Sequence, residues 1–366
     1  MPNYIQSDSE KWEQADRSAK RLMSHSLHTG TSDNPSRIDG PSISSVPETA
    51  ERPFWSVMIP TYNPNLNYLE QSLGSVLEQA PAARHMQIEL VDDGSRNFDP
   101  QSFLHDIAGS RVSFHRQPQH LGIGGNWNTC LERARGHWVH LLHQDDLVLS
   151  GFYRRLRDGI EKEPSVGAAF CHNFVIDSEG RRDFYPSRIK QTTPGVLTDW
   201  LEYVFVSLSI TTASIVVKRK VYEQLGGFDV SFNYALDWDM WKRIASRRLL
   251  WYEPDPLAVT RQHEQSTTRK LMPSGTNIAE IRRSIETSKS YLSAAEAADM
   301  ASRAQNYYTS YAVTRAVQLL LVARDRRAFL AHLREARKIR SSTAVMKALI
   351  RLSLKTLRER TQKRLP

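Results

Sequence analysis

The chain has 366 residues, 40% of them hydrophobic, and a formal net charge of +9 from 49 lysines and arginines against 40 aspartates and glutamates. Two cysteines cannot staple a chain of this length, which excludes a disulfide scaffold, and no run of about 18 apolar residues could span a bilayer. Residues 1–20 lack the apolar core of a secretory signal. We therefore expect a cytoplasmic protein in which Cys130 and Cys171 are reduced and buried.

The first 52 residues are rich in Ser, Asp, Asn, Gly and Pro and poor in apolar side chains. A segment of this composition buries too little apolar surface to offset the entropy that is lost when the chain becomes ordered. Residues 1–52 are therefore predicted to form a disordered N-terminal tail, and the folded domain is predicted to begin at residue 53.

Apolar runs and helical patterns alternate from residue 54 onward. Strands are predicted at residues 55–60, 87–91, 111–115 and 138–142, and helices at residues 66–79, 100–108 and 122–135. Consecutive parallel strands need long crossover connections, usually helices that pack on the faces of the sheet. The alternation predicts an α/β fold with a mostly parallel twisted sheet and helices on both faces.

The pattern changes in the second half of the chain. Further strands are predicted at residues 166–171, 173–177 and 213–217, with helices at residues 218–225 and 237–246. Beyond about residue 278 the sequence has a helical composition and contains neither Gly nor Pro before Pro366. A C-terminal α-helical region is therefore predicted after the α/β part.

Three polar clusters follow directly after predicted strands, at residues 61–63, at Asp92 and Asp93, and at Asp145 and Asp146. Each cluster alone is explained by an ordinary turn or helix cap. Together they predict a site, because ligands of open parallel sheets bind where the carboxyl ends of the strands converge. Two adjacent acids repel each other, and Mg²⁺ or Mn²⁺ would relieve this while also binding phosphate oxygens.

At this point the chain resembles the family 2 glycosyltransferases, whose nucleotide-sugar-binding domain has the GT-A fold. The resemblance covers about residues 54–268 and implies a GT-A domain at residues 53–268, followed by a basic helical region at residues 269–366. The matching segments, in the order that the family has them, are residues 56–63 (SVMIPTYN), 91–95 (VDDGS), Asn128 with 134–136 (ARG), 143–146 (HQDD), 213–217 (ASIVV), 226–229 (GGFD), 235–241 (ALDWDMW) and 261–263 (RQH).

The resemblance implies a donor site for a nucleotide-diphosphate sugar. Tyr62 would stack on the nucleobase, and Asp93 would accept a hydrogen bond from N3–H of a pyrimidine, which both UDP and dTDP offer. Asp145 would contact the ribose and, with Asp146, bind a diphosphate-bound Mg²⁺ or Mn²⁺, and His263 would lie near the diphosphate or the metal. The predicted nucleotide-sugar-binding residues are Pro60, Tyr62, Asn63, Asp93, Asn128 and Asp145, and the predicted metal ligands are Asp145, Asp146 and His263.

The resemblance also implies that Asp237 is the catalytic base, which removes the proton of the attacking acceptor hydroxyl. Asp239 is a competing candidate, but residues two apart on a helix point to different faces, which favours Asp237. Trp238 and Asp239 are predicted on the acceptor side, where the indole would stack on a sugar, although core packing of Trp238 and a capping role for Asp239 are alternatives.

Three positions depart from the pattern of the family. His143 stands where many members have an acid, Leu236 stands where many have a glutamate before the base, and Trp127 stands where an arginine is common. These changes bear on the identity of the donor and the acceptor more than on the class of reaction.

The net positive charge belongs to the C-terminal helices, because residues 324–366 contain fourteen Lys and Arg against three Asp and Glu. Lys347, Arg351, Lys355 and Arg358 line one helical face, and apolar residues occupy much of the rest. This pattern is typical of a helix that lies on an anionic membrane surface, as on the inner face of a membrane. A helical bundle with a solvated basic face remains an alternative. Nucleic-acid binding is disfavoured because the tyrosines of the C-terminal helices, Tyr291, Tyr307, Tyr308 and Tyr311, do not interleave with the basic run.

The sequence thus predicts an inverting, metal-dependent hexosyltransferase that builds a cell-surface polysaccharide or glycolipid on a saccharide or lipid-linked acceptor. A nucleotidyltransferase of similar fold is one alternative, but residues 61–65 offer no Lys or Arg to hold a triphosphate. A catalytically silent scaffold or binding subunit is the other, and the retention of Asp93, Asp145, Asp146 and Asp237 argues against it. The oligomeric state stays open.

Overall fold

The computed structural model describes residues 40–47, 51–96, 98–183 and 188–362, with the side chains of residue 183 and of residues 353–362 left aside. Residues 1–39 of the predicted disordered tail (residues 1–52) lie outside the described residues. The described strands and helices are numbered below in chain order.

The strands are β1 (Trp55–Thr61), β2 (Met86–Asp92), β3 (Ser113–Arg116), β4 (Trp138–Leu141), β5 (Leu147–Val148), β6 (Val166–Ile176), β7 (Arg182–Asp183), β8 (Gly195–Val196), β9 (Ile215–Lys218) and β10 (Leu249–Arg261). The α-helices are α1 (Leu66–Leu77), α2 (Pro100–Ala108), α3 (Gly122–Arg133), α4 (Phe152–Lys162), α5 (Arg219–Leu225), α6 (Leu236–Ala245), α7 (Thr267–Leu271), α8 (Thr276–Thr287), α9 (Ala294–Leu321), α10 (Arg326–Ile339) and α11 (Ser342–Gln362). Short 3₁₀ turns and a π-helical turn, Glu202–Val206, connect some of them.

The strands form one sheet in the order β3-β2-β1-β4-β9-β6-β10-β5, with β7 paired to β6 and β8 paired to β10. β1 to β4 pair in parallel, whereas β9 is antiparallel to both of its neighbours. β6 and β10 are parallel to each other and so run in the direction of β1 to β4. The predicted mostly parallel α/β sheet followed by a C-terminal helical region is confirmed.

Alternate residues of the strands face two separate apolar cores, as expected for a sheet that is covered on both sides. In β1, Val57 and Ile59 face one core together with α1 and α4, whereas Met58 faces the other together with α3 and α6. This alternation fixes the register of the strands, because a slip of one residue would exchange the two faces. Cys130 and Cys171 are free and buried, as predicted.

β10 was not predicted from the sequence, and β6 is one strand where two were predicted. Pro254 and Pro256 interrupt the apolar run of β10, and a proline within such a run argues against a strand. The structure accommodates them at a shift of register, where Glu253 pairs with Cys171 and Pro256 pairs with His172. The strand then continues to Arg261, which it brings to the polar clusters.

Residues 40–47 pack against the α/β domain, although they belong to the predicted tail. Ile43 is buried in the core that includes α3 and α6. The backbone N–H of Gly227 donates to the carbonyl of Pro41 at 2.7 Å, and Arg219 donates to the carbonyl of Ser44 at 3.0 Å. This part of the chain therefore covers the loop that leads towards α6.

Helices α8 to α11 form a third apolar cluster, and α6 contributes to it through Trp238. Ile278 and Ile281 of α8 and Tyr308 of α9 belong to the same cluster. The predicted domain boundary at residue 268 falls inside α7. Within the described residues, no helix combines the length and the apolarity that a membrane span requires.

Candidate active site at the carboxyl ends of the strands

Asp92 organises the turn after β2. Its buried carboxylate accepts hydrogen bonds from the Ser95 backbone N–H at 2.9 Å, from Thr61 Oγ1 at 3.2 Å and from Arg116 Nε at 2.9 Å. Ser95 Oγ in turn accepts from the backbone N–H of Asn63 at 2.7 Å. The loops after β1 and β2 are thereby joined, and Tyr62 and Asn63 lie where the predicted donor site begins.

Asp93 is buried and faces the start of α3. Its carboxylate accepts from the backbone N–H groups of Leu121 at 2.7 Å and Gly122 at 2.9 Å, and it lies 2.8 Å from His120 Nδ1. Burial raises the pKa of Asp93, although these donors favour its charged form. Asp93 thus fixes the glycine turn that opens α3, and this is a role that the sequence did not predict for it.

Tyr62 is 44% exposed, as a nucleobase platform requires. One of its faces is covered by His120, whose ring stacks on it with 4.2 Å between the centroids. The side chain of Gln144 accepts from the Tyr62 backbone N–H at 2.9 Å, which ties this loop to the loop after β4. Pro60 is buried within β1, opposite Val91 in the register of the sheet.

The loop after β4 brings three metal-ligating side chains together. His143, Asp145 and Asp146 each offer one ligand atom, and these atoms lie within 4.8 Å of one another. Nε2 of His143 is buried and has no hydrogen-bond partner among the described residues. The two carboxylates are ligands that suit Mg²⁺ or Mn²⁺, so they fit the predicted metal site, whereas an imidazole is more typical of the later transition metals. His143 belongs to the group, although the prediction included only Asp145, Asp146 and His263.

His263 is not part of this group, but it contacts Asp145. Its Nε2 lies 2.7 Å from Asp145 Oδ2, and both side chains are mostly buried. The neighbouring Arg261 donates its backbone N–H to Asp146 Oδ1 at 2.9 Å and its Nε to the Asp145 carbonyl at 3.2 Å. The end of β10 therefore orients both acids. The structure shows His263 in contact with Asp145, and its direct ligation of a metal stays a prediction.

The pKa of Asp146 and the pKa of His143 are both raised above their ordinary values. Burial and the charge of Asp145 raise the pKa of Asp146, against the opposing effects of His143 and the Arg261 N–H. Burial lowers the pKa of His143, but the hydrogen bond to Asp146 and the nearby carboxylates outweigh it, so the pKa is raised. The concentration of negative charge favours a cation at this position.

Asp237 is the single side chain of α6 that is not buried, since the other residues of this fully described helix are all buried. Its carboxylate accepts from the backbone N–H of Trp238 at 2.7 Å. Burial raises its pKa to about 6, while that hydrogen bond and the charge of His143 act in the opposite direction. The charges of Asp237 and His143 each shift the pKa of the other, so the predicted base is within electrostatic reach of the group that contains His143.

Trp238 and Asp239 do not reach the acceptor side that was predicted for them. Trp238 is 1% exposed, and its indole N–H donates to the Val204 carbonyl at 2.6 Å. Asp239 is fully buried, where it pairs with Arg243 at 3.0 Å and accepts from the Tyr291 hydroxyl at 2.9 Å. Both residues are therefore structural, because their polar atoms are already used inside the protein.

Asn128 also has a different role from the predicted contact with the nucleotide sugar. Its Oδ1 accepts from the backbone N–H of Phe228 at 2.7 Å, and its Nδ2 donates to the carbonyl of the same residue at 2.9 Å. A Cβ atom on Gly227 would collide with Asn128 Oδ1, so the glycine permits this approach. Asn128 thus clamps the loop between α5 and α6 onto α3.

Glu280 of α8 completes the site in a way that sequence reasoning missed. Its Oε2 accepts from the backbone N–H groups of Asn233, Tyr234 and Ala235, at 2.9, 2.6 and 3.1 Å. These residues lead directly into α6. No motif signals this contact, because Glu280 lies more than forty residues beyond Asp237 in a region of ordinary helical composition.

Comparisons with known proteins agree with this architecture. Residues 56–226 match the sequence model of the family described as glycosyl transferase family 2. The protein MT1568 of Mycobacterium tuberculosis is 28% identical over 264 residues, which are 67% of this chain and 79% of the relative. The glycosyltransferase MJ1057 of Methanocaldococcus jannaschii is 24% identical over 197 residues, which are 53% of this chain and 65% of that protein.

The solved structures show the same fold. TarS 1–349 of S. aureus, crystallised in complex with UDP-GlcNAc, superposes with a TM-score of 0.61 at 16% identity and covers 81% of this chain and 83% of that one. The longer TarS structure superposes with a TM-score of 0.56 over 81% of this chain and 50% of its own. The predicted GT-A fold is therefore confirmed, and residues 56–226 of the chain form a glycosyl transferase family 2 domain.

Proposed function

We propose that this protein is an inverting, metal-dependent hexosyltransferase that uses a UDP- or dTDP-linked sugar. One observation supports the proposal above all others: Asp237, the single side chain of α6 that is not buried, is close enough to His143 of the group His143, Asp145 and Asp146 for each charge to shift the pKa of the other. A base for an acceptor hydroxyl and ligands for a diphosphate-bound cation thus occupy one edge of the sheet.

On the donor side, we assign the nucleobase to the exposed ring of Tyr62 and to Asp93. Asp93 accepts two backbone N–H groups, and a carboxylate has about four acceptor positions, so capacity remains for the N3–H of a pyrimidine. Asn63 lies on the same loop. The UDP-GlcNAc complex of TarS, a protein of the same fold, supports a uridine donor.

For the metal, His143, Asp145 and Asp146 are the residues that would hold Mg²⁺ or Mn²⁺, and Arg261 and His263 orient the two acids. The bound ion would neutralise the charge that develops on the leaving diphosphate. In this arrangement Arg261 and His263 act through their hydrogen bonds to Asp146 and Asp145, which set the direction of each carboxylate.

Asp237 is proposed to act as the base. It removes the proton of the acceptor hydroxyl while that oxygen forms a bond to the anomeric carbon, and the bond from this carbon to the diphosphate oxygen breaks on the opposite face. A single displacement of this kind inverts the anomeric configuration. A pKa of about 6 leaves Asp237 mostly deprotonated at neutral pH, yet more basic than an ordinary aspartate.

The acceptor is proposed to be a saccharide or a lipid-linked saccharide in the synthesis of a cell-surface polysaccharide or glycolipid. The basic C-terminal helices support this choice, because a lipid-linked acceptor would bring the enzyme to the anionic inner face of a membrane.

A panel of UDP- and dTDP-sugars, measured by thermal shift with and without Mn²⁺, tests the donor side. One donor should raise the melting temperature in a manner that depends on Mn²⁺, through binding linkage. Asp237→Asn should bind that donor as the parent does, but it should lose transfer to a saccharide acceptor. Full transfer activity in a folded Asp237→Asn protein would rule out Asp237 as the base.

A further inference from the structure

We propose that the turn between α9 and α10, together with the outer face of α10, docks the protein onto an anionic lipid bilayer. This docking surface is defined by Leu321, Val322, Leu330, Arg324, Arg326, Arg327, Arg334, Arg337 and Lys338. The inference deepens the proposed lipid-linked acceptor, but binding to lipid through these residues does not require transfer activity.

Three aliphatic side chains are exposed around one turn of the chain. Leu321 is 72% exposed, Val322 is 83% exposed and Leu330 is 59% exposed. Single exposed apolar residues are normal on protein surfaces, whereas a group at one turn indicates a contact with an apolar phase.

The turn that presents these side chains is fixed by hydrogen bonds. The backbone N–H of Asp325 donates to the Leu319 carbonyl at 3.0 Å, and the Asp325 carboxylate caps α10 by accepting from the Ala328 N–H at 2.9 Å. Arg324 adopts a positive φ of 56° to close the turn. The aliphatic group is therefore held in place as part of the fold.

Basic side chains surround this group along α10. At 100° per residue, the exposed residues of the helix fall within an arc of about 120°. They are Arg326, Arg327, Leu330, Arg334, Arg337 and Lys338. The opposite face carries buried residues, which are Ala328, His332, Ala336 and Ile339. The solvent face of α10 is thus basic with one leucine in it.

Of the two acids on this fully described segment, only Glu335 pairs with a cation of the docking surface, which is Lys338. Asp325 is used as the cap of α10, and Glu335 is mostly buried, where it pairs with Lys338 and lies 3.8 Å from Arg282. The arginines therefore present a net positive charge on both sides of Leu330.

A bilayer suits this surface better than the other occupants. A second copy of the chain would bring like charges together, because the surface that it offers is equally basic. A nucleic acid would take up the charge but would leave the three aliphatic side chains in water. The boundary between headgroups and acyl chains of an anionic membrane suits both the charge and the aliphatic side chains. The arginines would bind lipid phosphates, and the aliphatic side chains would insert between the acyl chains.

Sedimentation of the full chain with lipid vesicles tests the proposal. The protein should bind vesicles of phosphatidylcholine with phosphatidylglycerol, and it should not bind phosphatidylcholine alone. Arg326→Glu/Arg327→Glu and Leu321→Ser/Val322→Ser should each weaken binding about tenfold or more. Arg84→Glu/Arg247→Glu makes the same change in net charge at exposed positions of the α/β domain and should bind as the parent does.

Several results would overturn the proposal. It fails if the two double-glutamate variants lose binding equally, if the aliphatic variant alone converts an oligomer to a monomer in sedimentation equilibrium, or if the docking-surface variants bind vesicles as the parent does. Tighter binding to a single-stranded RNA homopolymer than to anionic vesicles would also contradict it. The donor thermal shift, measured on each variant, confirms folding and separates this outcome from that of the proposed transferase activity.

Discussion

Replacement of Glu280 tests whether the C-terminal helices hold the proposed base in place. One carboxylate oxygen of Glu280 accepts three backbone N–H groups, from Asn233, Tyr234 and Ala235, just before α6 begins. Ala235, at the N-cap position of α6, offers no capping side chain, so Glu280 of α8 holds the end of this loop, whereas Asn128 of α3 holds its beginning at Phe228. Asp237 follows two residues later.

The size of the effect follows from these contacts. A hydrogen bond to a charged group contributes about 1.5–3 kcal/mol, and removal of a buried acceptor leaves its donors unpaired. The three donors share one oxygen, so their contributions do not add. We expect Glu280→Ala to lower the free energy of unfolding by about 3 kcal/mol. Glu280→Gln should lower it by about 1 kcal/mol, because an amide oxygen remains without the charge that favours a helix N-terminus.

The effect on transfer should be separable from the effect on stability. A displacement of a reacting group by about 1 Å costs about 100-fold in rate. Glu280→Ala should therefore lower kcat by about 10- to 100-fold at a temperature where it is folded, with donor binding unchanged, because the proposed donor residues lie on other loops. Glu280→Gln should recover most of kcat.

Urea denaturation and steady-state kinetics give both quantities. Glu286→Ala is the matched control, since Glu286 is an exposed acid on the same helix that pairs with Lys289 and should contribute less than about 0.5 kcal/mol. The reasoning is refuted if Glu280→Ala unfolds at the same urea concentration as this control. It is also refuted if its kcat equals that of the parent.

Four further predictions concern the site and the loop that leads to α6. The kcat should rise with pH through a single ionisation near pH 6, which is the raised pKa of Asp237, and a flat profile between about pH 5 and about pH 8 would contradict this. Burial raises the pKa of Asp237 above its ordinary value of about 3.9, so the charged carboxylate destabilises the fold above pH 6. Asp237→Asn should therefore raise the free energy of unfolding at neutral pH by up to about 3 kcal/mol. His143→Ala should weaken Mn²⁺ binding about 100-fold and His263→Gln about tenfold. The affinities are measured from the electron paramagnetic resonance signal of free Mn²⁺. Equal affinities in the parent and both variants would remove His143 from the metal group. Gly227→Ala should cost about 1–3 kcal/mol in urea denaturation through its collision with Asn128, and a smaller loss in the Asn128→Ala background would identify that contact as the cause.

The position of the site could be predicted from the sequence because it depends on topology alone. Once strands and helices alternate, the residues that follow β1, β2 and β4 must meet at one edge of the sheet. Asp93, Asp145 and Asp146 could therefore be selected without knowledge of any side-chain contact. The strands and helices between residues 55 and 142 could be predicted for a different reason. Their periodicities of 2 and 3.6 residues are local features of the sequence.

What could not be predicted depends on contacts between distant parts of the chain. β10 brings Arg261 and His263 to the acids, but its prolines conceal the strand. Asn128 lies in a motif, yet its partner, Phe228, is one hundred residues away. Helical periodicity separates Asp239 from Asp237 correctly, but only the packing of the neighbouring helices decides which of the two faces solvent.

α6 shows why that packing matters for the proposed chemistry. Lys242 of α6 donates to the Ser284 carbonyl and hydroxyl, at 3.1 and 2.9 Å, and Trp238 packs in the cluster of α8 and α9. The C-terminal helices thus enclose the helix on the side away from the sheet and leave Asp237 as its one partly exposed residue. Burial is the largest cause of the raised pKa of Asp237. A carboxylate on a solvated helix would keep an ordinary pKa and would be a weaker base. The helices that follow the sheet therefore help to set the basicity of the proposed catalytic residue, although no motif of the family lies in them.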